Sequence, residues 1–333
     1  MHSTSPVSAV ADEVYQVRIP LPFALNRVNA YLLRGSDGWT IVDTGLNLPE
    51  CRAVWQAAFA ALAIVPEAIA QIVLTHMHPD HYGLAGWLQA LAGGRPPVFM
   101  SAGEAHDAQI IWVQRDGRVG QMLALMRACG VPETYHEGII AAGARMAELT
   151  APHPTRVEIL APGETIAFGG RSFAILHAPG HSDAQLLFYD ASDRLLLCGD
   201  HVLMKITPNI GLWPDTQPRP LQRYLASLRE LRALDARLAL PGHKSLIIDW
   251  QGRIDELLAH HDHRLAAMEA AAAQAPDGAT VFEVSRAIFD YEKLTPHEIR
   301  FAVAETLAHL EALREAHRLQ RDEAAGVWRY VKP

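Results

Sequence analysis

At 333 residues the chain is long enough for one large domain plus an appendage, since single cores rarely outgrow roughly 250 to 300 residues. Half of the residues are hydrophobic and 20% are charged, which excludes general disorder, and a net charge of -8 gives no overall attraction to polyanions. Three cysteines, Cys51, Cys129 and Cys198, without a CxxC pair, fit reduced thiols better than a disulfide framework.

The N-terminal MHSTSPVSAVADE has neither a basic n-region nor an apolar h-region, and no run approaches the roughly 18 apolar residues of a membrane span. A cytoplasmic location with no membrane partner is the expectation. EVYQVRIP then reads as a strand, and NAYLLRG and WTIVDTG as a hairpin turning at Ser36-Asp37-Gly38. Leu48 to Ala63 reads as a helix, QIVLT as a short buried strand, Leu84 to Leu91 as a helix and PVFMS as another strand. This alternation favours an α/β layered fold.

From about 103 to 149 the periodicity is helical with no strand signal, carrying Trp112, Met122, Met126, Tyr135 and Met146. Such an insertion serves either as a lid or as plain core. Strands resume with RVEILAP, TIAFGG, RSFAILHAP, AQLLFYDA and DRLLLCGD, followed by a helix from about Pro220, the strand RLALPG and a long helix from about Trp250 to Ala273. After the break AQAPDGAT, two helices and the hairpin LQRDEAAGVWRYV resemble a winged-helix fold over 274–333.

Chemistry concentrates where apolar runs end. THMHPDHYG holds His76, His78, Asp80 and His81, an HxHxDH pattern that a loop, but not a regular helix, turns toward one point. Pro79 favours that loop, and Gly83 lets the next helix start close by. Three later strand ends repeat the theme beside glycine: His181 in HAPGHS, Asp200 in CGDH and His243 in LPGHK. Imidazole and carboxylate without thiolate suit two divalent ions, Zn, Mn or Fe, rather than a closed structural site. By contrast, His260, His261 and His263 point to different sides of one helix and read as packing, while His177 and His201 are packing or supporting candidates.

The ordered series resembles the metallo-β-lactamase superfamily over about residues 11 to 265. That resemblance implies a four-layer αββα sandwich, here with the helical insertion and the winged-helix-like C-terminal domain. It implies that His76, His78 and His181 hold one ion, that Asp80, His81 and His243 hold the other, and that Asp200 bridges them. Asp43 in IVDTG matches an aspartate that orients the ligand loop by hydrogen bonding. The implied chemistry is metal-dependent hydrolysis, in which two ions acidify a shared water and polarise the substrate, with Asp80 orienting or shuttling the proton.

Asp200 argues against a true β-lactamase, and His78 together with the lack of a flavodoxin-sized domain argues against a flavodiiron oxidoreductase. MKITPNIGLWPD is similar to a stretch of glyoxalase II-like hydrolases, which makes an ester, thioester or lactone the expected small-molecule substrate. Tyr82, Lys205, Asn209, Trp213 and Lys244 are candidate substrate contacts. A single-strand-specific endoribonuclease, which also carries a winged-helix module, is the runner-up, and a metal-binding regulatory protein with weak turnover is a third reading. A homodimer is left open.

Overall fold

The computed structural model describes residues 6–333; the first five residues of the N-terminal stretch lie outside the described part. Strands β1 (Val7–Ala11), β2 (Val14–Pro20), β3 (Arg27–Gly35) and β4 (Gly38–Val42) form an antiparallel meander, with β3 and β4 joined at the expected turn. Parallel strands β5 (Ile69–Val73), β6 (Val98–Ser101) and β7 (Val157–Leu160) complete a sheet of seven strands in sequential order. The second sheet is antiparallel through β8 (Thr165–Phe168), β9 (Arg171–His177), β10 (Leu186–Asp190) and β11 (Leu195–Gly199), and adds β12 (Leu238–Pro241) parallel to β11.

Alternation decides the layering. Tyr31, Leu33, Val42 and Val73 of the first sheet pack on Phe173, Ile175, Phe188, Leu197 and Leu240 of the second, forming the central core. The residues between them, such as Ala30, Leu32 and Ile41, turn outward onto α1 (Pro49–Ala61) through Trp55 and Phe59. Helix α2 (Pro79–Tyr82) is a single turn, and α3 (Ala85–Leu91) joins the same outer layer. The loop expected at 79–82 is therefore one helical turn, because Pro79 occupies its first position, where no amide hydrogen is needed, and His78 is its cap.

The insertion comprises α4 (Ala102–Ala108), a π-helical turn at Gln109–Gln114, α5 (Arg118–Ala128) and α6 (His136–Glu148). On the other outer face, α7 (Pro220–Leu231) and α8 (Trp250–Ala272) cover the second sheet through Leu221, Tyr224, Leu228, Ile254 and Leu257. The result is an α/β/β/α sandwich.

The C-terminal segment adds a two-residue strand β13 (Ala279–Thr280), α9 (Val281–Ile288), α10 (Pro296–Glu315) and the hairpin β14 (Gln320–Ala324) and β15 (Val327–Val331), in a three-stranded sheet ordered β13-β15-β14. Capping boxes at Thr280 with Glu283 and Thr295 with Glu298 start α9 and α10. Its core is shared: Val281, Val303, Leu307 and Leu310 pack with Met122, Met126, Cys129 and Ile139 of the insertion and with Met268 of α8. Met122 and Met126 of the stripe thus join the insertion to the C-terminal segment, while Met146 packs in the outer core of the first sheet. Cys51, Cys129 and Cys198 are buried free thiols.

Candidate metal centre

Strand ends and the turns between strands at one edge of the sandwich bring the chemistry together. Beyond the end of β4, Asp43 takes a left-handed backbone conformation (φ 58°) that turns its side chain back toward the β5 loop. Asp43 Oδ1 accepts from the Thr75 amide at 2.9 Å, and Oδ2 accepts from the Thr75 hydroxyl and from His81 Nδ1, each at 2.8 Å. The Thr75 oxygen then lies 2.9 Å from His76 Nδ1. His81 and His76 thereby have their outer nitrogens engaged and their Nε2 atoms turned inward, buried without hydrogen-bond partners.

The same logic fixes the other rings. His243 Nδ1 donates to the Arg27 carbonyl at 2.7 Å, and His181 Nδ1 donates to the Asn209 carbonyl at 2.9 Å. Outer nitrogens held by carboxylate, hydroxyl or carbonyl oxygens leave inner lone pairs aimed at a common space, which is the arrangement of ligating imidazoles. His78 Nδ1 and His181 Nε2 face each other at 2.8 Å. His243 Nε2 lies 3.2 Å from Asp80 Oδ2 and 3.1 Å from Asp200 Oδ2, and His81 Nε2 lies 3.4 Å from Asp200 Oδ1.

Three groups have ligand-capable atoms within 4.8 Å of one another: His76, His78 and His181; Asp80, His81 and His243; and His76, His81 and Asp200 between them. The donor set fits divalent cations, since it holds inward lone pairs, a buried Asp200 oxygen without a partner and no thiolate. Electrostatics divide the groups. Burial and the neighbouring imidazoles push His76 and His181 down, and burial with the facing His181 pushes His78 down to about 3. Burial would also lower His81 and His243, but Asp200, Asp43 and Asp80 outweigh it at His81, raising it well above its usual value, and Asp200 and Asp80 outweigh it at His243, raising it to about 10.

Gly242 lets this edge close. A Cβ there would strike Asp200 Oδ1 and sit 2.6 Å from His81 Cε1. Only a residue without a side chain carries the chain past that pair.

A family model described as the metallo-beta-lactamase superfamily matches residues 24–243, and one described as the metallo-beta-lactamase-like C-terminal domain matches residues 265–333. The chain belongs to the metallo-beta-lactamase superfamily. It is 28% identical over 313 residues to the probable metallo-hydrolase YqjP of Bacillus subtilis (strain 168), spanning 91% of this chain and 92% of that protein. A metallo-beta-lactamase family protein from Thermus thermophilus superposes with a TM-score of 0.86 at 34% identity, covering 98% of this chain and all of that one. The atrochrysone carboxyl ACP thioesterase of Aspergillus fumigatus is 24% identical over 238 residues, or 71% of this chain and 57% of its own length.

Around the centre of this metallo-hydrolase lies a cavity of about 330 Å³. Asp80, Asp200, His78, His181 and His243 form its floor, and Met77, Ile111, Trp112, Met146 and Leu203 give it apolar walls. Of the expected substrate contacts, Asn209 and Trp213 line it. Tyr82 is buried in the outer core with its hydroxyl 3.3 Å from His153 Nδ1, outside the cavity lining. Lys205 is exposed at a separate shallow depression beside Arg253 and His260, and Lys244 is exposed, serving through its carbonyl, which accepts from Asn29 at 3.1 Å. Chain adjacency to a ligand did not place Tyr82 or Lys244 in the cavity, and the stretch MKITPNIGLWPD brings Asn209 and Trp213 to it but not Lys205. His177 meets the Asp183 carbonyl, His201 meets Ser227, and His261 packs against His309, so none joins the centre.

Sequence reasoning missed Glu104. This fully buried carboxylate accepts from the Met77 amide at 2.8 Å in the HxHxDH loop, and from the Ser182 hydroxyl and the Ala184 amide after His181. It ties two ligand-bearing loops together. Burial raises it to about 7, although the Ser182 and Met77 donors oppose the shift. The signal was present as Ser101-x-x-Glu104, a capping-box pattern; Ser101 does cap α4, but the glutamate turns to the loops instead.

Proposed function

We propose that this metallo-hydrolase cleaves an ester or thioester at a dinuclear site, with His76, His78 and His181 on one ion, Asp80, His81 and His243 on the other, and Asp200 shared. The observation that carries the reading is the pair of three-residue groups with Asp200 set between them. When bound by these residues, two divalent ions would lower the pKa of a water toward neutrality and polarise the substrate carbonyl.

The chain's own residues do the rest. Asp80 is the more open of the two carboxylates in the ligand-capable groups, 18% exposed against 7% for Asp200, and is placed to orient and accept a proton from the attacking water. Asp43, through Thr75 and His81, fixes ring orientation before substrate arrives. The apolar walls receive an acyl chain and exclude bulk water. The thioesterase among the relatives supports the substrate class. Residues 274–333 we read as a winged-helix-like unit that walls the cavity through α10.

The test is a panel of thioester, lactone, phosphodiester and RNA substrates given to the metal-loaded protein. Ester or thioester turnover that falls at least about a hundredfold in His78→Ala is the expected result. RNA cleavage that declines steeply with salt, with no acyl turnover, would replace this reading by that of a nuclease.

A further inference from the structure

The C-terminal segment sends one free cation into the catalytic cavity. His297, Arg300 and Phe301 on α10 line it across from Arg118 of the insertion. The two arginines are not equivalent. Arg118 is paired with Asp215, and Asp107 also acts on it. Among the described residues no carboxylate lies within ion-pairing distance of Arg300, whose one side-chain hydrogen bond is a 3.3 Å contact with His297 Nδ1. Its Nε is buried with no partner. Glu298, on the same helix turn, is occupied with the Thr295 amide and hydroxyl.

The guanidinium is held rather than loose. It lies 4.6 Å from the Phe301 ring centroid and 5.7 Å from that of Trp213. Aromatic rings orient a guanidinium without neutralising it, leaving its donor edge available. Burial and nearby Arg118 lower it to about 10, which still leaves it charged at neutral pH. A half-buried charge at a cavity wall without a counter-ion is only partly compensated by solvent, and its planar donor fork matches a carboxylate or phosphate.

We propose that Arg300 binds an oxyanion, a carboxylate or phosphate, carried by the substrate away from its scissile bond. The inference rests on the hydrolase reading and narrows it to anionic esters or thioesters. It also gives the C-terminal segment a part in substrate choice.

Two matched substrate pairs separate the sources of the anion. One pair is an acyl thioester with a terminal carboxylate and its methyl ester; the other is an acylated pantetheine with and without its terminal phosphate. In metal-loaded wild type, the anionic member of one pair is expected to be favoured at least about tenfold in kcat/KM, through KM. Arg300→Met removes that preference, and Arg300→Lys keeps part of it. No preference in either pair, or an equal loss on both members in Arg300→Met, overturns the proposal. If no ester, thioester or lactone turns over, the hydrolase reading fails separately, and calorimetry with inorganic phosphate and short linear dicarboxylates decides the role of Arg300. Weaker binding to Arg300→Met than to wild type supports it, and equal binding refutes it.

Discussion

Asp43 Oδ2 sits 2.8 Å from His81 Nδ1 and 2.8 Å from Thr75 Oγ1, so one buried carboxylate aligns His81 directly and His76 through the threonine. Asp43→Asn puts an amide where an acceptor is needed and misaligns at least one ring. Divalent-ion affinity is expected to fall about 10- to 100-fold, read by competition with a chromogenic chelator. Undiminished affinity would mean that the rings hold their orientation without Asp43.

Glu104 accepts three donors from two loops, and glutamine offers one acceptor oxygen in the same space. Glu104→Gln is expected to cost about 2 to 4 kcal/mol of stability, since at least one buried donor is left unpaired. Denaturant titration measures it. A loss under about 0.5 kcal/mol would show that the loops are held by other contacts.

Gly242 occupies space that a methyl group cannot share with Asp200 and His81. Gly242→Ala is therefore expected to fold with the β12 end displaced and to bind less than half of the wild-type metal, as measured by elemental analysis after dialysis. Full occupancy would contradict the close approach.

The layered fold and the gathering of ligand-capable side chains at one edge were legible because both are written in local patterns. Two-residue periodicity marked the strands that face both cores, and a cluster of metal-capable side chains in THMHPDHYG, with single ones in HAPGHS, CGDH and LPGHK, marked strand ends and adjoining turns. Three things were not legible. Glu104 drew no notice, since the sequence holds the Ser101-x-x-Glu104 spacing but not which way the carboxylate turns. Arg300 and His297 reach the cavity only because α10 docks against α6 and α8, a long-range packing that no local pattern encodes. Tyr82 and Lys244 were placed by chain adjacency, whereas side-chain direction is set by the one-turn helix at Pro79–Tyr82 and by the positive φ of Lys244.

The His261 and His309 pair, 3.1 Å apart between α8 and α10, gives a pH test of that docking. Burial holds His261 down to about 3, with His309 and His260 adding to it, and holds His309 down to about 4. Arg264 also faces both, while the Glu305 carbonyl accepts from His309 Nδ1. Folded values below the ordinary 6.5 mean that the unfolded chain binds more protons between about pH 4 and 6.5. Stability from this pair is thus complete above pH 6.5 and is lost as pH falls. His309→Gln is expected to flatten the wild-type slope of unfolding free energy between pH 6.5 and 4.5 by about 1.4 kcal/mol per pH unit. Parallel slopes would refute the assignment.

The central claim is a centre for two ions built by seven side chains. Its most direct test is the number of divalent ions bound per chain at saturation, by equilibrium dialysis against zinc, manganese or iron(II) and elemental analysis. Two ions are expected per wild-type chain and about one in His243→Ala, where one ligand-capable group is broken and the other is kept. One ion or fewer in the wild type, with every metal offered, would contradict it.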